Sequence, residues 1–222
     1  MKSFKRPKSK QEYVKVRGLT IDEQKKLLNV LKTEDIKYSE QMMISMFTGM
    51  RMGEVNALEV SDVNFKTKTI NVYKTVSRGT YGETTISKSP KTEAGMRKLP
   101  MNDEVAQFFK DCIGDKTKGL IFSNNGRIIT TSQVNNHYSR ALEKFEIIDD
   151  TIHGKVDLHS LRHTFASRCI EGNCPPKVLQ KLLGHKDISV TLNTYTDVFD
   201  GYLNDKVAVT DQYFKSMQLT II

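Results

Sequence analysis

Cysteine is scarce in this chain. Cys112, Cys169 and Cys174 are odd in number and form no C-x-x-C pair, so neither a disulfide framework nor a zinc knuckle is indicated, and a reducing cytoplasm fits. Long apolar runs are missing too. No stretch approaches the roughly 20 residues that cross a bilayer, and the first residues lack the hydrophobic region of a secretory signal. The expectation is a soluble, cytoplasmic protein with no membrane role. Repeats, low-complexity tracts and internal linkers are also absent, so the 222 residues read as one large domain able to bury a core. Acidic residues are in the minority, 26 Asp+Glu against 34 Lys+Arg for a formal charge of +8, which leans towards a polyanionic partner.

Much of that excess is local. Lys2, Lys5, Arg6, Lys8, Lys10, Lys15 and Arg17 face only Glu12, and residues 1–18 read as a flexible basic leader, either a solvated tail or an arm that follows a polyanion. Thr20-Ile21-Asp22-Glu23 is a capping box, with Leu27, Leu28 and Leu31 at helical spacing behind it, so the folded part begins near residue 19. A second helix is expected from Tyr38 to Phe47, with Met42, Met43, Ile44 and Met46 as core, ended by Thr48-Gly49. Arg51, just beyond that glycine and between two methionines, needs an anionic partner if it is half buried, and Glu54 is at hand.

From Thr69 the pattern becomes alternating. TINVYKTV, ETTISK and MRKLPM read as a three-stranded antiparallel sheet with a hairpin around Gly79–Gly82. A helix capped by Asn102 or Asp103 follows, then GLIFS as a short extended piece. A further helix is expected to be capped by Thr131 or Ser132, with Val134, Tyr138, Leu142 and Phe145 along one stripe.

The stretch from Leu158 to Tyr195 organises the rest. A helix from Leu158 to Glu171 puts His159 and Arg162 at i and i+3 on one face, with Leu161 and Phe165 on another. Pro175-Pro176 closes that helix and opens the next, Gly184 stops the run VLQKLL and delivers His185, and Asp187 caps a short helix carrying Tyr195. Two imidazoles, a guanidinium and a phenol come within reach of one another. His159 and His163 also stand at the i, i+4 spacing of a metal pair, but Arg162 between them and the lack of a following carboxylate argue against zinc. His163 reads as a structural histidine.

H-x-x-R, then L-G-H, then Y, in the wording LHSLRHTFAS…LLGH…Y, resembles the C-terminal box of the tyrosine recombinases, the phage integrase family. TGMRMGEVNALEVSDV resembles the same family's first box, and the likeness runs from about Leu19 to about Tyr195. Val60 stands where the family often has Trp, a departure that concerns packing. The resemblance implies a mainly helical α+β catalytic domain with a small three-stranded antiparallel sheet. It covers residues 19–195 here, with residues 196–222 a C-terminal helix and tail exchanged between protomers. It also implies a core-binding domain ahead of this one in full-length members.

For function, the resemblance implies a site-specific recombinase acting on double-stranded DNA attachment sites as a homotetramer, with room for DNA-bending accessory proteins and with no cofactor or metal. Tyr195 would be the nucleophile, Arg51 and Arg162 would grip the non-bridging phosphate oxygens, and Glu54 would hold Arg51. Lys91, in the loop SPKTEAGMRKLP with Lys88 as its nearest rival, would protonate the leaving 5′ oxygen. His159 would be the acid/base partner of the tyrosine and His185 a donor to phosphate, although which imidazole takes the phenolic proton stays open. Two other readings share these residues: a type IB topoisomerase, and a DNA-binding relative that has lost catalysis.

Overall fold

The computed structural model describes residues 15–79, 82–87, 96–195, 212, 216 and 217. The chain enters through Arg17, whose guanidinium binds both oxygens of the buried Glu23 at 2.6 and 2.7 Å. Glu23 also accepts the backbone N–H of Thr20, completing the capping box of α1 (Ile21–Thr33), and that of Asp149 from the far side of the domain. Burial alone would raise this carboxyl, but these donors outweigh it and hold the group at about 2. One side chain thus starts a helix and clamps a distant loop.

α2 (Ser39–Thr48) is buried nearly all round, through Met42, Met43, Ile44 and Met46, because it runs through the middle of the core against α1 and α6 (Ser160–Glu171). It ends at Gly49, where two constraints meet. The backbone turns left-handed at φ 67°, and a Cβ there would lie 2.4 Å from the Phe165 ring on α6. α3 (Met52–Asn56) follows at once.

The alternating segments form two sheets instead of one. β1 (Val63–Asn64), β2 (Thr69–Val72) and β5 (Arg97–Pro100) make a three-stranded antiparallel sheet in the order β1-β2-β5, with Ile70 opposite Leu99 and Val72 opposite Arg97. β3 (Thr75–Arg78) and β4 (Thr84–Ser87) make a separate hairpin. The run TINVYKTV, expected as one strand, breaks at Tyr73-Lys74. There the Lys74 ammonium turns inward to Asp62 at 2.7 Å and Glu59 at 2.5 Å. The piece GLIFS contributes one bridge, Leu120 to Glu59.

α4 (Asp103–Ile113) is capped by Asn102, and α5 (Thr131–Lys144) by Thr130, one residue before the expected cap, because Gln133 completes a capping box with Thr130. α6 begins with His159 as its N-cap, and Thr164 within it accepts the Leu19 N–H at 2.8 Å, tying the domain's two ends. α7 (Pro176–Leu183) stops at Gly184, left-handed at φ 66°, and α8 (Ile188–Thr194), capped by Asp187, ends at Tyr195. Most buried apolar residues form one large core. A second, smaller cluster of Ala166, Ile170, Leu179, Leu183 and Tyr195 lies among α6, α7 and α8. The fold is α+β, mainly helical, with small antiparallel sheets. No described helix is long and apolar enough to cross a membrane.

Candidate active site

The Gly49 turn delivers Arg51 to the start of α3, where its own N–H is bonded to Glu54 Oε2 at 2.9 Å and its Nη1 to Glu54 Oε1 at 3.0 Å. The Arg51 side chain remains 43% exposed, so its other guanidinium edge is open to solvent. Glu54 is buried. Burial works to raise its carboxyl, and the hydrogen bonds and charge of Arg97, with Arg51 behind them, overcome that and keep it ionised below its usual range.

Arg162 is held in the opposite manner. At 2% exposure it is among the most buried side chains, and its fork is fixed by two backbone carbonyls, Nη1 to Gly49 O at 2.8 Å and Nη2 to Leu183 O at 2.6 Å. Desolvation, then the nearby positive charge of Arg51, lower it to about 9, which still leaves it protonated at neutral pH. These two carbonyls belong to the turns that present Arg51 and His185. One guanidinium therefore sets the spacing between both.

His185 follows Gly184, its N–H returning to Gln180 O at 3.1 Å and its Nδ1 lying 2.8 Å from the hydroxyl of the fully buried Thr191. That bond orients the ring and leaves Nε2 for another partner. Burial, then the charges of Arg162, Arg51 and Arg97, push His185 down to about 4, so the imidazole is neutral at physiological pH. His159 is the most open of these side chains. Its N–H is bonded to Asp157 at 2.9 Å, and partial desolvation followed by the Arg162 charge lowers its pKa. Its ring meets His163 edge-on at 4.9 Å, and His163 in turn meets the Tyr195 ring at 5.6 Å.

Tyr195 is only 4% exposed and packs into the small cluster. Burial pushes its phenol up to about 12, with Arg162 pulling the other way. In this DNA-free conformation the tyrosine is neutral. The structure thus gathers Arg51, Glu54, His159, Arg162, His185 and Tyr195 into one charge-coupled neighbourhood. Two guanidinium groups and neutral imidazoles beside a phenol can hold a phosphate diester and stabilise added charge on its oxygens. Lys91 and its rival Lys88 lie outside the described residues, as do residues 196–211 of the tail.

Sequence reasoning missed Arg97. Its Nη1 and Nη2 bond Glu54 at 3.1 and 2.9 Å, and its Nε bonds the Leu182 carbonyl at 2.8 Å. The signal was available in β5, where alternation places Arg97 on the same inward face as Leu99, an uncomfortable position for an unpaired charge.

The family model described as the phage integrase family matches residues 17–201. The transposase from transposon Tn916 of Enterococcus faecalis is 28% identical over 194 residues, which cover 80% of this chain and 47% of that protein. The integrase of Staphylococcus phage L54a is 30% identical over 191 residues, 76% of this chain and 52% of its own length. The chain therefore spans about half the length of these curated relatives. Among solved structures, the Tn1549 transposon integrase in complex with a circular intermediate DNA superposes with a TM-score of 0.73 at 27% identity, covering 83% of this chain and 62% of that one. The catalytic domain of bacteriophage HP1 integrase shares the fold at a TM-score of 0.56 and 21% identity, with 95% of that domain covered and 87% of this chain.

Proposed function

Because the chain belongs to the phage integrase family, we propose that it is the catalytic part of a site-specific recombinase, one that cuts and rejoins DNA through a 3′-phosphotyrosyl intermediate on Tyr195. The reading rests on one observation above all. Two arginines from distant parts of the chain, Arg51 and Arg162, sit in one neighbourhood with Tyr195, and Arg162 is fixed by the turns flanking the other groups. The fold shared with the Tn1549 transposon integrase, solved in complex with a circular intermediate DNA, supports a DNA substrate.

In the proposed reaction the Tyr195 oxygen attacks the scissile phosphorus, forming a P–O bond to tyrosine while the bond to the 5′ oxygen breaks. The phenolic proton goes to an imidazole, His159 in our assignment, since it is the more open of the two. Lys91 delivers a proton to the departing 5′ oxygen. Arg51 and Arg162 follow the non-bridging oxygens into the more charged transition state, and His185 donates to one of them through Nε2 in the tautomer with a proton there. The guanidinium pair supplies the neutralisation that a divalent metal supplies elsewhere. Attack by a 5′ hydroxyl of another strand reverses the chemistry, regenerates Tyr195 and needs no nucleotide cofactor. Strand exchange between two duplexes calls for four such sites, so a homotetramer on DNA belongs to the proposal.

The phenol at about 12 adds a condition: Tyr195 is neutral in the DNA-free protein, so its attack needs the proton to be taken as the bond to phosphorus forms. Trapping on a nicked attachment-site duplex tests the core of the reading. The unsubstituted protein should give a covalent protein–DNA band on a denaturing gel, and Tyr195→Phe should bind the duplex with similar affinity but give none. A band that persists in Tyr195→Phe would move the nucleophile elsewhere. For the acid, Lys91→Ala should cleave slowly on ordinary DNA and recover on a substrate with sulfur at the 5′ bridging position, because a thiolate leaves unprotonated. Recovery by Lys88→Ala instead would reassign the role.

A further inference from the structure

Glu54 is surrounded by donors. Its carboxylate accepts two hydrogen bonds from Arg97, one from the Arg51 guanidinium and one from the Arg51 backbone, which uses the four acceptor sites a carboxylate offers. The charges matter as much as the geometry. Glu54 and Arg97 are both buried, with side chains 7% and 6% exposed, and form a bidentate pair of zero net charge. Arg51 stands outside that pair, half exposed and tethered through a single nitrogen.

We propose that Arg97 is a positioning residue of this site: it neutralises Glu54 so that the charge and the open edge of Arg51 remain available to the phosphate, and its Nε holds the α7 terminus that carries His185. The inference rests on the functional reading above and deepens it. Without Arg97, the buried carboxylate would have Arg51 as its remaining cation in this cluster. An unpaired buried charge is costly, so Arg51 would be drawn inward to form the bidentate pair itself. The site would lose one unit of positive charge and one phosphate fork together. A second tie would go as well. Leu182 O is held by Arg97 and Leu183 O by Arg162, so the last turn before Gly184-His185 is gripped by one arginine from β5 and one from α6. Removing Arg97 leaves a single grip.

This role differs from general support of the fold in what it predicts. Arg97→Met should bind DNA several-fold more weakly than the parent, as one phosphate contact is lost, and at saturating protein cleave about 10²-fold more slowly in a single turnover, the scale of a catalytic group misplaced by an ångström. Arg97→Lys keeps the charge but not the fork, and should recover part of the rate. A double-mutant cycle carries the decision. If Arg97 acts through Arg51, the pair Arg51→Ala/Arg97→Met should cleave no more than a few-fold slower than Arg51→Ala alone. Multiplying losses would overturn the proposal. Should Arg97→Met fail to fold by circular dichroism, the same cycle run with Arg97→Lys decides by the same criterion.

A second arm needs no cleavage. In the DNA-free protein, the Arg51 Nε–H resonance should shift on Arg97→Met, as its guanidinium changes partners, while amide signals in α1 stay in place. An unmoved Arg51 resonance would sink the positioning role. If the unsubstituted protein forms no adduct with DNA, the functional reading fails and this spectrum alone judges Arg97.

Discussion

The large core and the small cluster divide the site between them, and they are built to different standards. Arg51 leaves a helix, α2, that is buried on nearly every side and packed against α1, α3 and α6. Tyr195 ends a seven-residue helix whose apolar contacts are a handful of side chains from α6 and α7. A helix that short has little stability of its own, so α8 keeps its place through that cluster and through the Thr191–His185 bond. The arginines proposed to stabilise charge therefore stand on a densely packed base, while the proposed nucleophile rides on the part of the domain expected to open first. Arg162 joins the two.

Breaking that join should have the largest effect. Arg162→Ala removes two charge-assisted hydrogen bonds and strands two buried carbonyls, for a loss of about 3–5 kcal/mol in denaturant unfolding along with all detectable cleavage. Arg51→Ala should slow cleavage by orders of magnitude while leaving a residual single-turnover rate, but cost less than about 1 kcal/mol, because the side chain is exposed and lightly tethered. Equal stability losses would erase the contrast between the two arginines.

Core truncations sharpen the comparison at a smaller scale. Leu27 and Leu179 are both fully buried, and Leu→Ala at either should cost about 2–4 kcal/mol. The expected difference lies in where the loss is felt. For Leu27→Ala, hydrogen exchange should rise across the domain. For Leu179→Ala it should rise first in α7 and α8, with the amides of α2 unchanged until global unfolding.

Acid gives the mildest test. His163 and His185 are pushed from 6.5 to about 4, chiefly by burial, so the folded protein resists protonating them while the unfolded chain does not. Their contribution to stability is complete above about pH 6.5 and is lost as pH falls towards about 4. The unfolding midpoint should fall across that window, and His185→Asn should flatten the fall. Glu23, held at about 2 against an ordinary 4.5, yields in a separate and more acidic window.

The helices were legible because each carries its own signals: the Thr20 capping box, Gly49 and Gly184 as stops, Pro176 as a start, Asp187 as a cap. The Arg51–Glu54 pair was legible for the same reason, since both partners lie within one helical turn. What escaped depends on contacts distant in sequence. Nothing near Lys74 announces that two carboxylates will pull it inward and break a strand in two. Arg97 drew no reading from the sequence because its partner Glu54 lies in another segment. The depth of Tyr195 was also missed, since burial there is decided by α6 and α7 and leaves no mark on the short helix itself.

The wedge of Phe165 against Gly49 has a consequence in time. Arg162 reaches the Gly49 carbonyl across 113 positions of chain. At ~5–20 residues per second of synthesis, roughly 6–23 s separate the emergence of the first turn from that of the guanidinium that completes it. The gap at Gly49 admits one flat ring and no methyl group. The turn that presents Arg51 is thus completed only when α6 arrives.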